Sequence, residues 1–137
     1  ELAYKDYDRA IQLDPKFALA YYGRGYIYLA KENYDKAIAD FTKAISLDPK
    51  EYLYYLNRGV AYNDKQSYDL AIKDFNAAIE LNSNDSDNFY NRGLTYYNKK
   101  DFENAVKDFS KAIELNPNDS TAYYYRGVIY EDHENYE

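Results

Sequence analysis

Residues 21–49 read YYGRGYIYLAKENYDKAIADFTKAISLDP, and the same pattern returns along the chain at intervals of 34 residues. Its clearest mark is Arg-Gly, which occurs at residues 24–25, 58–59, 92–93 and 126–127. A second mark is Ala-Ile-x-Asp-Phe at 37–41 and 71–75, with Ala-Val-Lys-Asp-Phe at 105–109. Proline follows at positions 15, 49 and 117, and Ser83 fills the remaining slot. Three markers in one phase indicate an internally repeated fold.

Each repeat contains two amphipathic segments. The first, near residues 18–31, places Tyr21, Gly25 and Tyr28 on one helical face. The second, near residues 35–47, ends at Asp48-Pro49, because a residue before proline is pushed out of the helical region. Ser86 and Ser120 are predicted N-caps of later first helices. The loops are so short that the two helices must pack antiparallel.

The repeat resembles the tetratricopeptide repeat, whose signature is Trp-x₂-Leu-Gly-x₂-Tyr, then Ala-x₃-Phe, an alanine and a closing proline. The matching residues of the first complete unit are Tyr21, Arg24, Gly25, Tyr28, Ala37, Phe41, Ala44 and Pro49. The second unit has Tyr55, Arg58, Gly59, Tyr62, Ala71, Phe75, Ala78 and Ser83, and the third has Phe89, Arg92, Gly93, Tyr96, Ala105, Phe109, Ala112 and Pro117. The resemblance implies an all-α fold, a right-handed α-solenoid of antiparallel helix pairs with about eight helices.

The phase of the repeat divides the chain into three complete units between two half units. Residues 1–17 match only a second helix and residues 120–137 only a first helix, with complete repeats at 18–51, 52–85 and 86–119. Neither end has the polar helix that caps a repeat array, so we expect the chain to be a segment of a longer array. Because the half units are complementary, they allow head-to-tail stacking between molecules.

Composition argues against several classes of function. The net charge of −7 disfavours nucleic acid, because phosphate binding requires clustered Lys and Arg. One histidine and no cysteine leave no common zinc site, and no apolar run approaches the roughly 20 residues of a membrane span. Neither a phosphate-binding glycine loop nor a nucleophile with its base occurs. We therefore predict no catalytic residue, no metal ligand and no cofactor, and the cell compartment stays open.

The repeated arginines, glycines and aspartates are predicted to be structural. Glycine inside a helix costs about 1 kcal/mol relative to alanine, so its recurrence implies a close approach of the second helix, with Ala37, Ala71 and Ala105 facing it. The family pattern has leucine where this chain has Arg24, Arg58, Arg92 and Arg126. An aspartate recurs before the aromatic residue of the second helix, at Asp6, Asp40, Asp74 and Asp108. An interhelical Arg–Asp pair is expected in each repeat, within the unit or to the preceding one.

In the family fold the first helices line the concave surface, so the residues that point away from the Tyr21 face are the predicted binding surface. The surface is rich in Tyr, Leu, Val and Asn, with acids toward one end. Its predicted members are Leu19, Tyr22, Tyr26, Leu29, Leu53, Leu56, Asn57, Val60, Asn63, Asp64, Asp87, Tyr90, Asn91, Leu94, Tyr97, Asn98, Tyr124 and Val128. Exposed aromatic and aliphatic rows favour interaction surfaces, although some of these side chains could complete repeat-to-repeat packing.

The predicted function is a protein–protein interaction scaffold that binds a peptide or helix of a partner in its concave groove. Some members of the family hold a C-terminal carboxylate with a set of Lys, Asn and Arg side chains, and the five corresponding positions here carry Tyr22, Tyr26, Asn57, Asp87 and Asn91. Only the central asparagine is retained, which favours a neutral, apolar or somewhat basic ligand. The alternative is a structural module that assembles by head-to-tail self-association, and a concentration-dependent size would distinguish the two.

Overall fold

The computed structural model describes residues 2–132, and these residues form α-helices without strands. The helices are α1 (Leu2–Leu13), α2 (Ala18–Ala30), α3 (Tyr34–Leu47), α4 (Tyr52–Asp64), α5 (Tyr68–Leu81), α6 (Ser86–Asn98), α7 (Phe102–Leu115) and α8 (Ser120–Asp132). The predicted all-α fold with about eight helices is confirmed. Residue 1 and residues 133–137, the outer parts of the two half units, lie outside the described residues.

The helices pair into hairpins that stack in chain order. The most extensive contacts join α2 to α3, α4 to α5 and α6 to α7. Each hairpin then packs on the next through α3 on α4, α5 on α6 and α7 on α8, while α1 packs on α2. Smaller contacts join α2 to α4 and α4 to α6, so the first helices lie side by side along one surface. Contacts restricted to neighbours define an α-solenoid.

The turn within each hairpin contains one residue in the left-handed conformation. Glu32, Gln66 and Lys100 have φ of 58°, 63° and 65° and occupy the same repeat position. In the first hairpin the N–H of Glu32 donates to the carbonyl of Leu29 and that of Asn33 donates to Tyr28, each at 2.9 Å. These bonds satisfy carbonyls at the end of α2 and end the helix at a fixed position.

Aspartates cap the later first helices, so the prediction that Ser86 and Ser120 are N-caps is wrong by one residue. Asp85 caps α6 by accepting from the N–H of Asp87 at 3.0 Å. Asp119 Oδ1 accepts from the backbone N–H groups of Thr121 and Ala122, each at 3.1 Å. The carboxylate is the stronger acceptor and directly precedes the first turn, so the serine becomes the first helical residue.

The core repeats with the sequence. The phenylalanine of the second helix is fully buried in each complete hairpin, at Phe41, Phe75 and Phe109. The small residues around it are buried too: Ala37, Ala44, Ala71, Ala78, Ala105 and Ala112 have no exposed surface. Burial of one such ring contributes about 2–3 kcal/mol. The alanines allow the helices to approach closely around each ring.

Candidate functional site

Each repeated arginine joins three helices: its own first helix, the second helix of the same hairpin and the second helix of the preceding hairpin. In the first hairpin Arg24 Nε and Nη2 donate to the two carboxylate oxygens of Asp40, at 2.8 and 2.7 Å. The same bidentate geometry joins Arg58 to Asp74 and Arg92 to Asp108, at 2.7–2.8 Å. The hydrogen bonds that Arg92 donates to Asp108 raise the pKa of Arg92, so this cation stays charged throughout the accessible pH range.

The third nitrogen of each guanidinium reaches back to the preceding hairpin. Nη1 of Arg24 pairs with Asp8, and Nη1 of Arg58 and Arg92 donates to Thr42 Oγ1 and Asn76 Oδ1. Asp6 was the expected aspartate of α1, but its side chain is exposed and Arg24 pairs with Asp8 instead, because Asp8 lies on the side of α1 that packs on α2. Arg126 donates to Ser110, which is at the same repeat position as Asp8.

Aromatic rings, not alanines, face the repeated glycines. A Cβ placed on Gly25 would lie 2.9 Å from the ring of Phe41, and one on Gly59 would lie 2.7 Å from that of Phe75. At Gly93 the nearest atoms, at 3.1 Å, belong to Asp108 and Phe109. The predicted close approach is therefore present, but the expected partners Ala37, Ala71 and Ala105 are wrong. The large ring needs the space that glycine leaves.

The predicted concave residues fall into three classes of exposure. Exposed side chains are Leu19, Tyr26, Asp64, Asp87, Asn98 and Tyr124. Half-buried ones are Tyr22, Leu29, Leu53, Asn57, Val60, Asn63, Tyr90, Asn91, Leu94, Tyr97 and Val128. Leu56 is buried at 7% exposure and packs against Ala71, Phe75 and Ala78, so the prediction that it is a surface residue is wrong.

The row that contains Leu56 serves hairpin-to-hairpin packing. Its equivalent Tyr22 lies with its ring centroid 5.2 Å from that of Tyr54 and 5.9 Å from that of Phe41. Tyr90 lies in the same way 6.0 Å from Phe109. Tyr90 also lies 6.4 Å from Tyr125 of α8, so the rings of this row contact both their own hairpin and the following one. The last member of the row, Tyr124 on α8, is 66% exposed.

The asparagines of the concave surface use their N–H groups within the fold. Asn57 Nδ2 donates to the hydroxyl of Tyr22 at 3.2 Å and to the carbonyl of Leu53 at 2.9 Å. Asn91 Nδ2 donates to the carbonyl of Asp87 at 2.8 Å, and Asn98 Nδ2 to Asn63 Oδ1 at 3.1 Å. When both N–H groups of a side-chain amide donate within the fold, its oxygen is the group that can accept a hydrogen bond from a ligand. At Asn57 the surface therefore presents an acceptor.

An apolar pocket opens at the N-terminal end of this surface, between α1 and α2. It has a volume of about 580 Å³ and is lined by Ala3, Tyr7, Leu19, Tyr22, Gly23, Tyr26 and Ile27. The ring of Tyr7 occupies the space where a side chain at position 23 would lie. Tyr7 and Ala3 were not predicted as part of the surface. The sequence feature that indicates their position is Gly23, because the equivalent positions of the other repeats carry larger residues, Asn57, Asn91 and Tyr125.

Acidic groups gather toward the other end of the surface. Burial raises the pKa of the Asp87 carboxyl, and the negative charges of Asp85 and Asp119 raise it further. Asp85 also accepts a hydrogen bond from the hydroxyl of Tyr52 at 2.8 Å. A positive group placed beside Asp87 would relieve this repulsion. The surface is thus apolar at one end and negative at the other.

Among residues 2–132 no cluster of His, Asp and Glu side chains is arranged to hold a metal ion. No helix within the same residues is long and apolar enough to cross a membrane. The helices form a stack of hairpins, and the first helices of the hairpins form an open surface. This class of protein is a helical-repeat solenoid.

Comparison with the sequence profiles of known families shows to which family this solenoid belongs. The profile described as tetratricopeptide repeat matches residues 18–51 and 87–119, and a second so described matches 109–137. The profile described as TPR repeat matches residues 1–32 and 59–100, which is more than half of the chain. The chain belongs to the tetratricopeptide repeat family, a family of protein-interaction scaffolds. No curated protein sequence matches it significantly.

Solved structures of the same fold include three similar chains, two of them with a bound peptide. A crystal structure of MamA superposes with a TM-score of 0.90 and 25% identity over 97% of this chain and 78% of MamA. The first TPR domain of Spaghetti (RPAP3), bound to the HSP90 peptide SRMEEVD, has a TM-score of 0.81 and 30% identity, covering 84% of this chain and 91% of that one. The second TPR domain of human RPAP3, in complex with the HSP70 peptide SGPTIEEVD, has a TM-score of 0.78 and 29% identity, covering 82% and 93%.

Proposed function

We propose that this chain acts by binding alone, and that it holds an extended, neutral to basic segment of a partner protein along the surface of α2, α4, α6 and α8. The observation that carries the proposal is the apolar pocket of about 580 Å³ at one end of this surface. Leu19 and Tyr26 border it with 56% and 55% of their surface exposed. An open apolar pocket beside exposed rings suits a bulky side chain of a ligand.

The charge of the surface supports the preference for a basic ligand. The peptides bound to the similar RPAP3 domains end in Glu-Glu-Val-Asp and are acidic. In this chain the positions corresponding to the carboxylate-binding cations carry Tyr22, Asp87 and Asn91. A carboxylate placed there meets the negative charges of Asp85, Asp87 and Asp119. A Lys or Arg of the ligand at the same place is attracted instead.

A random peptide library displayed on phage and selected on the immobilised chain is expected to yield ligands that combine a bulky apolar residue with Lys or Arg. The change Tyr26→Ala is expected to weaken binding of the selected peptides about tenfold, because an exposed ring at a pocket rim contributes more than 1 kcal/mol. The matched control is Leu70→Ala, an exposed leucine of α5 that lies outside the surface. Selection of no peptide, or equal effects of the two changes, would contradict the proposal.

The acidic peptide SRMEEVD tests the charge preference separately. We expect it to bind at least tenfold more weakly than the selected basic peptides, because each missing hydrogen bond to a charged group is worth about 1.5 kcal/mol or more. Fluorescence anisotropy with a labelled peptide gives the comparison. The control is the same peptide with its acids replaced by the corresponding amides, which should recover part of the affinity. Tight binding of SRMEEVD itself would refute the preference for neutral to basic ligands.

A further inference from the structure

The contact between α5 and α6 differs in composition from the other contacts between successive hairpins. Asn88 and Thr95 of α6 are fully buried polar residues. The equivalent positions of the other first helices carry alanine, isoleucine and one tyrosine: Ala20, Ile27, Tyr54, Ala61, Ala122 and Ile129. We propose that the solenoid has a hinge at the α5–α6 contact, so that residues 2–81 and residues 86–132 move as two blocks.

In the other contacts these positions join the apolar core of one hairpin to that of the next. Ala61 of α4 belongs to the same buried cluster as Ala37 and Phe41 of α3. Ala122 and Ile129 of α8 belong in the same way to the buried cluster of α7. Apolar surface buried between neighbouring hairpins stabilises their contact in proportion to its area.

The buried core is interrupted between α5 and α6. Ala71, Phe75 and Ala78 of α5 cluster with Leu56 of their own hairpin, and among the described residues this buried cluster includes none from α6. Ile79, a half-buried residue of α5, packs against the buried cluster of α6 and α7 and supplies an apolar contact across the hinge. The α5–α6 contact is therefore expected to gain less from apolar burial than the contacts of α3 with α4 and of α7 with α8.

The side chain of Asn88 ties α6 to α5 but is not fully satisfied there. Its Nδ2 donates to the carbonyl of Asn82 at 2.9 Å and to that of Ala78 at 3.4 Å, at the end of α5. Its Oδ1 is buried, and no group within residues 2–132 donates to it. A buried acceptor without a donor is unfavourable, and separation of α5 from α6 lets water supply the missing hydrogen bond. Opening is therefore easier here than at a contact lined by alanine and isoleucine.

The linker between α5 and α6 also lacks two constraints found in other linkers. Ser83 stands where each of the other three linkers between hairpins has a proline, whose ring fixes φ. Phe89 has no hydroxyl, whereas the hydroxyls of Tyr21 and Tyr55, at the same repeat position, donate to the carbonyl of the proline in their linkers at 3.2 and 3.1 Å. A linker with more backbone freedom allows the rotation that a hinge requires.

Polar side chains make further contacts across the hinge. They are Arg92 Nη1 to Asn76 Oδ1 at 2.7 Å, Lys99 Nζ to Asp69 Oδ1 at 2.6 Å, Asn98 Nδ2 to Asn63 Oδ1 at 3.1 Å, and the Tyr52 hydroxyl to Asp85 Oδ2 at 2.8 Å. The first three join exposed side chains, where water can replace each bond at little cost. Such bonds favour one closed arrangement but add little to its stability.

A hinge at this place acts on the shape of the binding surface. The helices α4 and α6 are neighbours on that surface, and they lie on opposite sides of the hinge. Rotation of the two blocks changes the distance between these helices, and with it the width of the groove. The proposal depends on the packing of α5 and α6, so it holds whatever segment the surface binds.

Spin labels on introduced cysteines can measure this motion, because the chain has no cysteine of its own. Lys73→Cys with Glu114→Cys places one label on each side of the hinge, at exposed positions. Ala39→Cys with Glu80→Cys is the matched control, because it places labels at the equivalent exposed positions across the α3–α4 contact. Double electron–electron resonance gives the distribution of distances between the labels. We expect this distribution to be about twice as wide across the hinge as across the control contact.

The hinge is expected to be removed by Asn88→Ala together with Thr95→Ile, which gives α6 the residue pair that α2 and α8 carry. This double change should narrow the distribution across the hinge to the width of the control, and it should leave the control distribution unchanged. Ser83→Pro restricts the linker without altering the buried contact, so it should narrow the distribution in part. Circular dichroism checks that each variant folds.

Equal widths across the two contacts of the otherwise unaltered chain would overturn the proposal. So would an unchanged width across the hinge in the folded double variant or, where that variant does not fold, in Ser83→Pro. Narrowing of both distributions by the double change would show a general stiffening of the solenoid, and it would overturn the proposal as well.

Discussion

The change Asp74→Ala is expected to lower the free energy of unfolding by about 3–5 kcal/mol, because it leaves the charge of Arg58 without its partner in a largely buried place. The carboxylate of Asp74 has 6% of its side chain exposed, and the side chain of Arg58 has 17%. Both carboxylate oxygens accept from Arg58, at 2.7 and 2.8 Å. Urea denaturation followed by circular dichroism measures the loss.

Two further variants distinguish the stability loss caused by breaking the Arg58–Asp74 pair from a general effect of removing an acidic residue. Asp69→Ala breaks the ion pair with Lys99, but the Asp69 side chain is 84% exposed, so the stability should be unchanged within error. The double change Arg58→Leu with Asp74→Leu should recover much of the loss, because no charge is then left alone. Equal losses for Asp74→Ala and Asp69→Ala would show that burial of the pair has no energetic consequence.

The sequence was sufficient for the fold because the period of 34 residues fixes both the helix pairs and their order. Ala-Ile-x-Asp-Phe and Arg-Gly mark facing helices, and the proline that follows ends the second helix. The helix bounds follow from these marks to within a residue or two. The N-caps were missed because Asp85 and Asp119, the stronger acceptors, stand directly before the predicted serines.

The binding surface was less accessible to sequence reasoning, because one helix in isolation does not show where its neighbour lies. Leu56 and Val60 both point away from the Tyr21 face, yet Leu56 is buried against α5 while Val60 is half-buried. Which row is covered depends on how α4 packs on α5 and on the neighbouring hairpin. The packing of α4 on α5 within one hairpin decides that Phe75, rather than Ala71, lies nearest to Gly59.

Replacement of Gly59 by leucine is the second change with a large expected effect, a loss of about 3 kcal/mol or more in the free energy of unfolding. A Cβ at this position would lie 2.7, 2.9 and 3.0 Å from three ring atoms of Phe75. The ring is fully buried, so it has nowhere to move without separating α4 from α5. The better helix propensity of leucine returns only about 1 kcal/mol.

The matched variant is Gly127→Leu, at the same repeat position on α8. Because nothing lies within 4 Å of its Cβ, the clash is absent and only the gain in helix propensity remains. In dilute solution we therefore expect the two variants to change stability in opposite directions. Urea denaturation of both, at one low protein concentration, makes the comparison. A loss of similar size in both would mean that the glycines are required for the helix backbone itself, and not for the approach of the phenylalanine ring.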